Sequence, residues 1–223
     1  MIAIDGPAGS GKSTTARLVA ARLGFRHLDT GAMYRAVTLK CLETGTEVSS
    51  RPALNRLLAQ TRVGIDWLSA GYRVMLDGRD VTREIREPRV SGHVSEVSAV
   101  PMVRRALVPV QRRVARGYSV VCEGRDIGSV VFPEAGLKVF LDCDIRARAG
   151  RRRDEIISAG ASASMLDVRR NLVQRDQFDS GRKMSPLVRT PDALLVDTTD
   201  LTIDEQVGVV CDLARRRFGQ RPG

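Results

Sequence analysis

The sequence predicts an α/β fold: a five-stranded parallel sheet flanked by helices, with an inserted antiparallel β hairpin and a mobile arginine-rich lid. Three observations carry that expectation. Gly6-Pro7-Ala8-Gly9-Ser10-Gly11-Lys12-Ser13 matches GxxxxGK[ST] between an apolar strand candidate and a helical pattern. Strand, loop and helix then repeat, which argues for crossover connections in a parallel sheet. Between Val63 and Val81 the rhythm breaks into short β-rich runs bounded by turn signals.

Taken in order, Ile2 to Ile4 reads as the first strand. After the glycine-rich loop, Ala16, Val19, Ala20 and Leu23 share one helical face, and Gly24 supplies a helix end. FRHLDTGAMYRAVTLKCLETG reads as a strand to Leu28, a turn at Asp29 to Gly31, and a helix carrying Tyr34, Val37 and Leu39. VGIDWL and YRVML, separated by SAGY and followed by DGRD, form the expected hairpin. A helical pattern covers Val90 to Val114, with Pro101 starting a new helix. YSVVCEGRDIG and LKVFLDCD are buried-strand candidates that end in charged residues, and open α/β sheets bind ligands at strand carboxyl ends. Arg146 to Arg182 is the most basic stretch, with a Gly, Ala and Ser-rich patch from Ser158 to Ser164. ALLVD gives a last strand, and a closing helix starts at Thr202 or Asp204. The core strands are thus Ile2 to Ile4 and those near His27, Val120, Val139 and Leu195. A single domain follows, with core segments 1–62, 101–145 and 183–223, an insert at about 63–100 and a lid at about 146–182.

Composition narrows the partners. With 223 residues, 43% of them hydrophobic, the chain can bury a sizeable core. The formal charge of +10 is carried almost wholly by arginine, since only four lysines occur. That balance suits nucleic acid, a membrane surface or small anionic ligands, but 4% aromatic residues leave few platforms for stacking single-stranded bases. Cys41, Cys122, Cys143 and Cys211 have no CxxC spacing and read as buried thiols of a reducing compartment. No apolar run approaches a membrane span, and the first is too short for a signal peptide. A soluble, cytoplasmic protein is expected, with RRRFGQRPG a solvated end.

The glycine-rich loop has a mechanical meaning. Its backbone N–H groups can turn inward on phosphate oxygens, and the following helix adds the positive end of its dipole. Lys12 is placed to reach the β- and γ-phosphates of a nucleotide and the Ser13 hydroxyl to bind Mg²⁺. A bare structural turn is the competing reading, yet a turn alone calls for neither a lysine nor a hydroxyl there. In a phosphate-transfer protein, a flap bearing Arg151 to Arg153 can neutralise transition-state charge and exclude water. The competing reading of the flap is a solvated helix face and a loop.

GPAGSGKST, DTGAMYR, EGRDIGSVVFP, RDQFDSGR and VDTTDLTIDEQV together closely resemble the bacterial cytidylate kinases, of the nucleoside monophosphate kinase group, over essentially the whole chain. The resemblance implies a P-loop kinase that phosphorylates CMP and dCMP from ATP with Mg²⁺. Gly6, Pro7, Ala8, Gly9, Ser10, Gly11, Lys12, Ser13 and Thr14 would hold ATP, with Ser13 on the metal. It further implies that Arg35 and Arg125 hold the acceptor phosphate, with Thr30 near it. Ser95, Arg104 and Asp126 correspond to residues that read the cytosine ring, Arg175 and Asp179 to contacts with the sugar, and Arg182 to a charge supporting that end. Lys12, Arg125, Arg153 and Arg182 are the expected catalytic set. Phe178 departs from the pattern, standing where the family often has a charged residue.

The residue types suit that chemistry. Cytosine offers an N4 amino donor with N3 and O2 acceptors, so a carboxylate such as Asp126 and a donor such as Arg104 complement it. Uracil would set a carbonyl against the Asp126 carboxylate. Each residue also has a structural alternative: an Arg125–Asp126 ion pair, a helix-interior Ser95, solvated Arg35 and Arg104, and an Arg175–Asp179 pair on a helix surface. A phosphate acceptor is largely a dianion at neutral pH and requires no general base, in keeping with His27 and His93 as structural or surface residues. Rival readings are a P-loop kinase for another nucleoside monophosphate or small metabolite, and an NTP-regulated RNA-binding protein. A monomer without a stable nucleic-acid or membrane partner is expected.

Overall fold

β1 (Ile2–Asp5) is buried at every position, as a strand covered on both faces must be. In this computed structural model, which describes residues 1–158, 160–182 and 184–219, β1 lies at the centre of the main sheet. Ala159 of the Ser158 to Ser164 patch and the end of the C-terminal stretch from Gln220 lie outside the described residues. The chain forms two compact units, one made of Met1–Leu28 with the chain from Ser119 onward, the other of Asp29–Tyr118.

In the first unit, α1 (Lys12–Leu23) follows β1, and β2 (Arg26–Asp29) begins the next repeat. After the second unit come β6 (Val120–Gly124), β7 (Leu137–Asp142), α6 (Ile145–Ser158), α7 (Met165–Ser180), β8 (Leu194–Asp197) and α8 (Ile203–Phe218). The sheet order is β2-β6-β1-β7-β8. β1 pairs in parallel with β6, Ile4 opposite Glu123, and with β7, Ile4 opposite Val139. All five expected strands are present. Ile2, Ile4, Val121, Val139 and Leu141 meet Ala16, Val19 and Ala20 of α1 and Val207, Val210 and Cys211 of α8 in one apolar core. α8 starts at the expected Thr202, whose hydroxyl accepts from the Glu205 amide while Glu205 accepts from the Thr202 amide.

The second unit holds α2 (Thr30–Glu43), α3 (Arg51–Gln60), the antiparallel sheet β3 (Val63–Trp67), β4 (Tyr72–Leu76) and β5 (Arg79–Asp80), then α4 (Pro88–Ala99) and α5 (Pro101–Ala115). It is wider at both ends than the insert expected at about 63–100, because α2 packs on β4, α4 and α5 rather than standing apart from the hairpin. The β4–β5 turn is Asp77-Gly78, with positive φ at both residues (51° and 86°), the requirement of a two-residue hairpin loop. The Asp77 carboxylate accepts from the Arg62 amide at 2.7 Å and pairs with Lys40 at 2.8 Å. Trp67 donates to the Val114 carbonyl at 3.2 Å and stacks edge-on with Tyr72 and Tyr118.

Two expectations shift. The turn expected at Asp29 to Gly31 is absent: β2 runs to Asp29 and α2 starts at once, because the Asp29 side chain caps the helix by accepting from the Ala32 amide. α3 has no counterpart in the expected elements.

Candidate active site

The parallel strands deliver their carboxyl ends to one edge, where the loop 6–11 leaves β1. Gly6 has φ 150°, and a Cβ there would sit 2.1 Å from the Leu141 carbonyl oxygen, so only glycine lets β1 leave the sheet beside β7. Gly11, at φ 85°, serves as the N-cap of α1. The Lys12 ammonium, only 5% exposed, donates to the Pro7 carbonyl and to Ser10 Oγ at 3.3 Å. Burial, seconded by the nearby Arg125 charge, holds it well below an ordinary lysine pKa against the opposing pull of Glu123, Asp179 and Asp5.

Ser13 Oγ donates to Glu123 Oε2 at 2.6 Å, and the other oxygen of Glu123 meets His27 Nε2 at 2.8 Å. His27 is thus held by Glu123, and His93 bonds the Arg89 carbonyl within its own helix. From the far side, α8 secures α1: Thr15 Oγ1 donates to Gln206 Oε1 at 3.0 Å, and a Cβ at Gly11 would press on that same oxygen.

A second cluster of the first unit centres on Asp179, near the end of α7. Arg125 Nε donates to Asp179 Oδ2 at 2.7 Å, and Arg182 donates to Asp179 Oδ1. Burial pushes the Asp179 carboxyl up, but Arg125 and Arg182 outweigh it and hold it below the usual carboxylate range. Its bonds therefore run to Arg125 and Arg182, while Arg175 adds a further favourable charge one helical turn away. Asp126 is buried beside Arg125, and Phe178 is 52% exposed.

On α6 the arginine that reaches the loop is Arg148. It donates to the Ala8 carbonyl at 3.1 Å, the Cys143 carbonyl at 3.0 Å and Asp176 at 2.6 Å. Ala8 packs with Ala149, Val168 and Leu172, which seats α6 and α7 on the loop. Arg151, expected in the mobile flap, instead clamps the carbonyls of Thr198, Thr199 and Leu201 after β8. Arg152 pairs with Glu155 at the surface, and Arg153 is exposed.

The remaining candidates belong to the second unit. Asp29 accepts from Arg35 at 3.3 Å as well as capping α2. A Cβ on Gly31 would lie 2.9 Å from Asp29 Oδ1 and 3.3 Å from Arg35 Nη1, which explains the glycine of DTGAMYR. Thr30 is buried. Arg104, also buried, donates to the Ser98 carbonyl at 3.3 Å and lies 5.2 Å above the Tyr34 ring. Ser95 is partly exposed, and its carbonyl accepts from Ser98 Oγ.

The family model described as cytidylate kinase matches residues 2–216. The chain belongs to the cytidylate kinase family. A cytidylate kinase of Carboxydothermus hydrogenoformans is 46% identical over 216 residues, covering 97% of each chain. One of Chlorobaculum tepidum is 48% identical over 227 residues, covering 99% of this chain and 95% of its own. A solved structure of an uncharacterised protein from Eubacterium ventriosum shares the fold, with a TM-score of 0.52 at 13% identity over 97% of this chain and 98% of that one.

In this cytidylate kinase family member, sequence reasoning passed over Asp5, Glu123, Arg148 and Gln206. A signal existed for the first two: each is a carboxylate at the end of a buried strand, where ligands gather.

Proposed function

We propose that this chain transfers the γ-phosphoryl group of ATP to the 5′-phosphate of CMP and dCMP, giving ADP with CDP or dCDP. The observation that carries the reading is the phosphate loop with buried Lys12 and the Ser13–Glu123 pair, in a chain matched by the cytidylate kinase model over residues 2–216. In this reading Gly6 to Thr14 wrap the ATP phosphates. Arg35 and Arg125 hold the acceptor phosphate near Thr30, Arg175 and Asp179 meet the sugar, and Ser95, Arg104 and Asp126 read the base. Arg125 and Arg182 neutralise charge spreading onto the transferred group, with Arg153 the candidate from the lid. The work of the protein is positioning and charge neutralisation along an in-line path, because the dianionic acceptor needs no base. The proposed setting is the cytoplasm and the proposed state a monomer.

Mg²⁺ fits the donors present. Ser13 and Glu123 offer hard oxygen ligands side by side, 2.6 Å apart. Mg²⁺ in such sites takes one or two protein oxygens and completes its shell with phosphates and water. Ser13 would hold it directly and Glu123 would orient Ser13. When bound, it would neutralise charge shared between the β- and γ-phosphates. Glu123→Gln should raise the Mg²⁺ concentration for half-maximal rate by about 10–100-fold. Titration of the variant with Mg²⁺ at fixed ATP checks this, and an unchanged midpoint removes Glu123 from the metal's surroundings.

ADP formation from Mg-ATP, with CMP, dCMP, UMP, AMP and GMP offered in parallel and a no-acceptor control, tests the function. Turnover with CMP and dCMP is expected. Turnover led by another nucleotide overturns the base-reading assignment, and none with any acceptor overturns the kinase reading.

A further inference from the structure

We propose that Asp5, the last residue of β1, is a positioning residue for base selection: its carboxylate anchors the turn that begins at Asp126 and thereby aims the Asp126 side chain. The inference rests on the reading, made above, that Asp126 recognises cytosine.

The geometry is specific. Residues Ile127–Val131 form a single π-helical turn, with Asp126 at its N-cap position (φ −144°, ψ 29°). Such turns are rare and gather at functional sites. The first amides of any helical turn lack partners within it, and an Asp at the N-cap ordinarily accepts them with its own side chain. Here the Asp126 side chain makes no cap bond. The capping carboxylate comes instead from β1: Asp5 Oδ1 accepts from the Ile127 amide at 2.8 Å, and Oδ2 from the Gly128 amide at 2.7 Å. Both oxygens are engaged, so the turn is held against rotation as well as translation. Gly128 completes the fit, since a Cβ there would lie 3.4 Å from Asp5 Oδ2 and 3.1 Å from Lys138 Cδ. Asp126 is therefore relieved of capping and carried on a turn pinned to the strand that feeds the phosphate loop.

Electrostatics point the same way. Asp5 is 6% exposed, and burial pushes its carboxyl up to about 6, against the two amides and Lys12 and with Asp126 adding to the rise. Lys138, also beside this turn, pairs with Asp192 at 2.7 Å, and Arg125, next to Asp126, pairs with Asp179 at 2.7 Å. A carboxyl raised in the folded state contributes stability below its unfolded pKa of about 3.8, and that contribution is lost as pH rises through about 6. At neutral pH Asp5 is thus kept ionised at a cost to folding.

The test measures kcat/KM for CMP and for UMP in the wild type, Asp5→Asn, Asp126→Ala and the double variant, with thermal melts from pH 4 to 7. Asparagine keeps the size but sets its amide NH2, a donor, against one of the two backbone N–H donors. Asp5→Asn should lower the CMP-to-UMP ratio by about 10–100-fold, the scale of a small misplacement of a recognition group. Its melting temperature should lose the Asp5 contribution to the pH slope between about 4 and 6. Asp126→Ala should lower the ratio at least as far, and the double variant no further than Asp126→Ala. A ratio unchanged in Asp5→Asn but lowered in Asp126→Ala overturns the positioning role and leaves base reading intact. Fully additive losses overturn it as well. A ratio unchanged in Asp126→Ala removes the base reading and this inference with it. Should Asp5→Asn fail to fold, Asp5→Glu keeps the charge but displaces the carboxylate by one methylene from the Ile127 and Gly128 amides, and it carries the same expectation for the ratio.

Discussion

Lys12→Ala should cut turnover by about 10²–10³-fold, the scale on which one charge-stabilising donor acts in a preorganised site. The Lys12 ammonium is buried in the loop, and among the described residues its hydrogen-bond partners are the Pro7 carbonyl and the Ser10 hydroxyl. Burial holds its pKa well down, and in the proposed reading the ATP phosphates compensate its charge. Alanine removes that charge while keeping a strong helix former at the first position of α1. The fold should survive, and a thermal melt run beside the ADP assay separates the two effects. Near-normal turnover in a folded variant would remove Lys12 from the phosphate site.

Asp179→Ala should be the most destabilising single change at the site, by about 3–5 kcal/mol, because it strands two partly or fully buried guanidinium groups. Arg125 and Arg182 both bond to this one carboxylate, and the Asp179 and Arg182 side chains are each 5% exposed. Denaturant unfolding measures the loss. Asp179→Asn should lose less, keeping one acceptor oxygen. Since the folded pKa of Asp179 is depressed, its contribution is present above the unfolded value of about 3.8 and is lost as pH falls through the lower folded value. Acid above about pH 4 should therefore leave the cluster intact. An Asp179→Ala variant as stable as the wild type would show that the arginines find other partners.

The fold was legible where local rules decide it. A glycine-rich loop between a strand and a helix, apolar runs at Val120 and Val139, Pro101 starting α5 and the turn signal Asp77-Gly78 after β4 all act within a few residues. The glycine-rich loop was legible for the same reason. What stayed hidden depends on contacts distant in sequence. Ser13 meets Glu123 across 110 positions, Arg148 reaches Ala8 across 140, and Asp5 holds Gly128 across 123. Charge runs mislead for a related reason: RARAGRRR reads as one flexible basic surface, yet Arg148 is buried against the loop, Arg151 clamps three carbonyls and Arg152 is an ordinary surface pair. Helical spacing at Arg175 and Asp179 left a surface pair as the alternative to sugar contacts, whereas burial turned Asp179 toward Arg125 and Arg182. DTGAMYR hid its helix start because Gly31 reads as a turn residue, when its role is to let Asp29 and Arg35 approach.

The chain has a single tryptophan, Trp67, fixed in the Asp29–Tyr118 unit by its bond to the Val114 carbonyl and its two tyrosine neighbours. Intrinsic fluorescence excited at the red edge therefore reports on that unit alone, while far-ultraviolet circular dichroism sums the helices of both. Followed together in denaturant, the two signals need no added label: superimposed curves mean that the units melt as one, and separated curves give the stability of each.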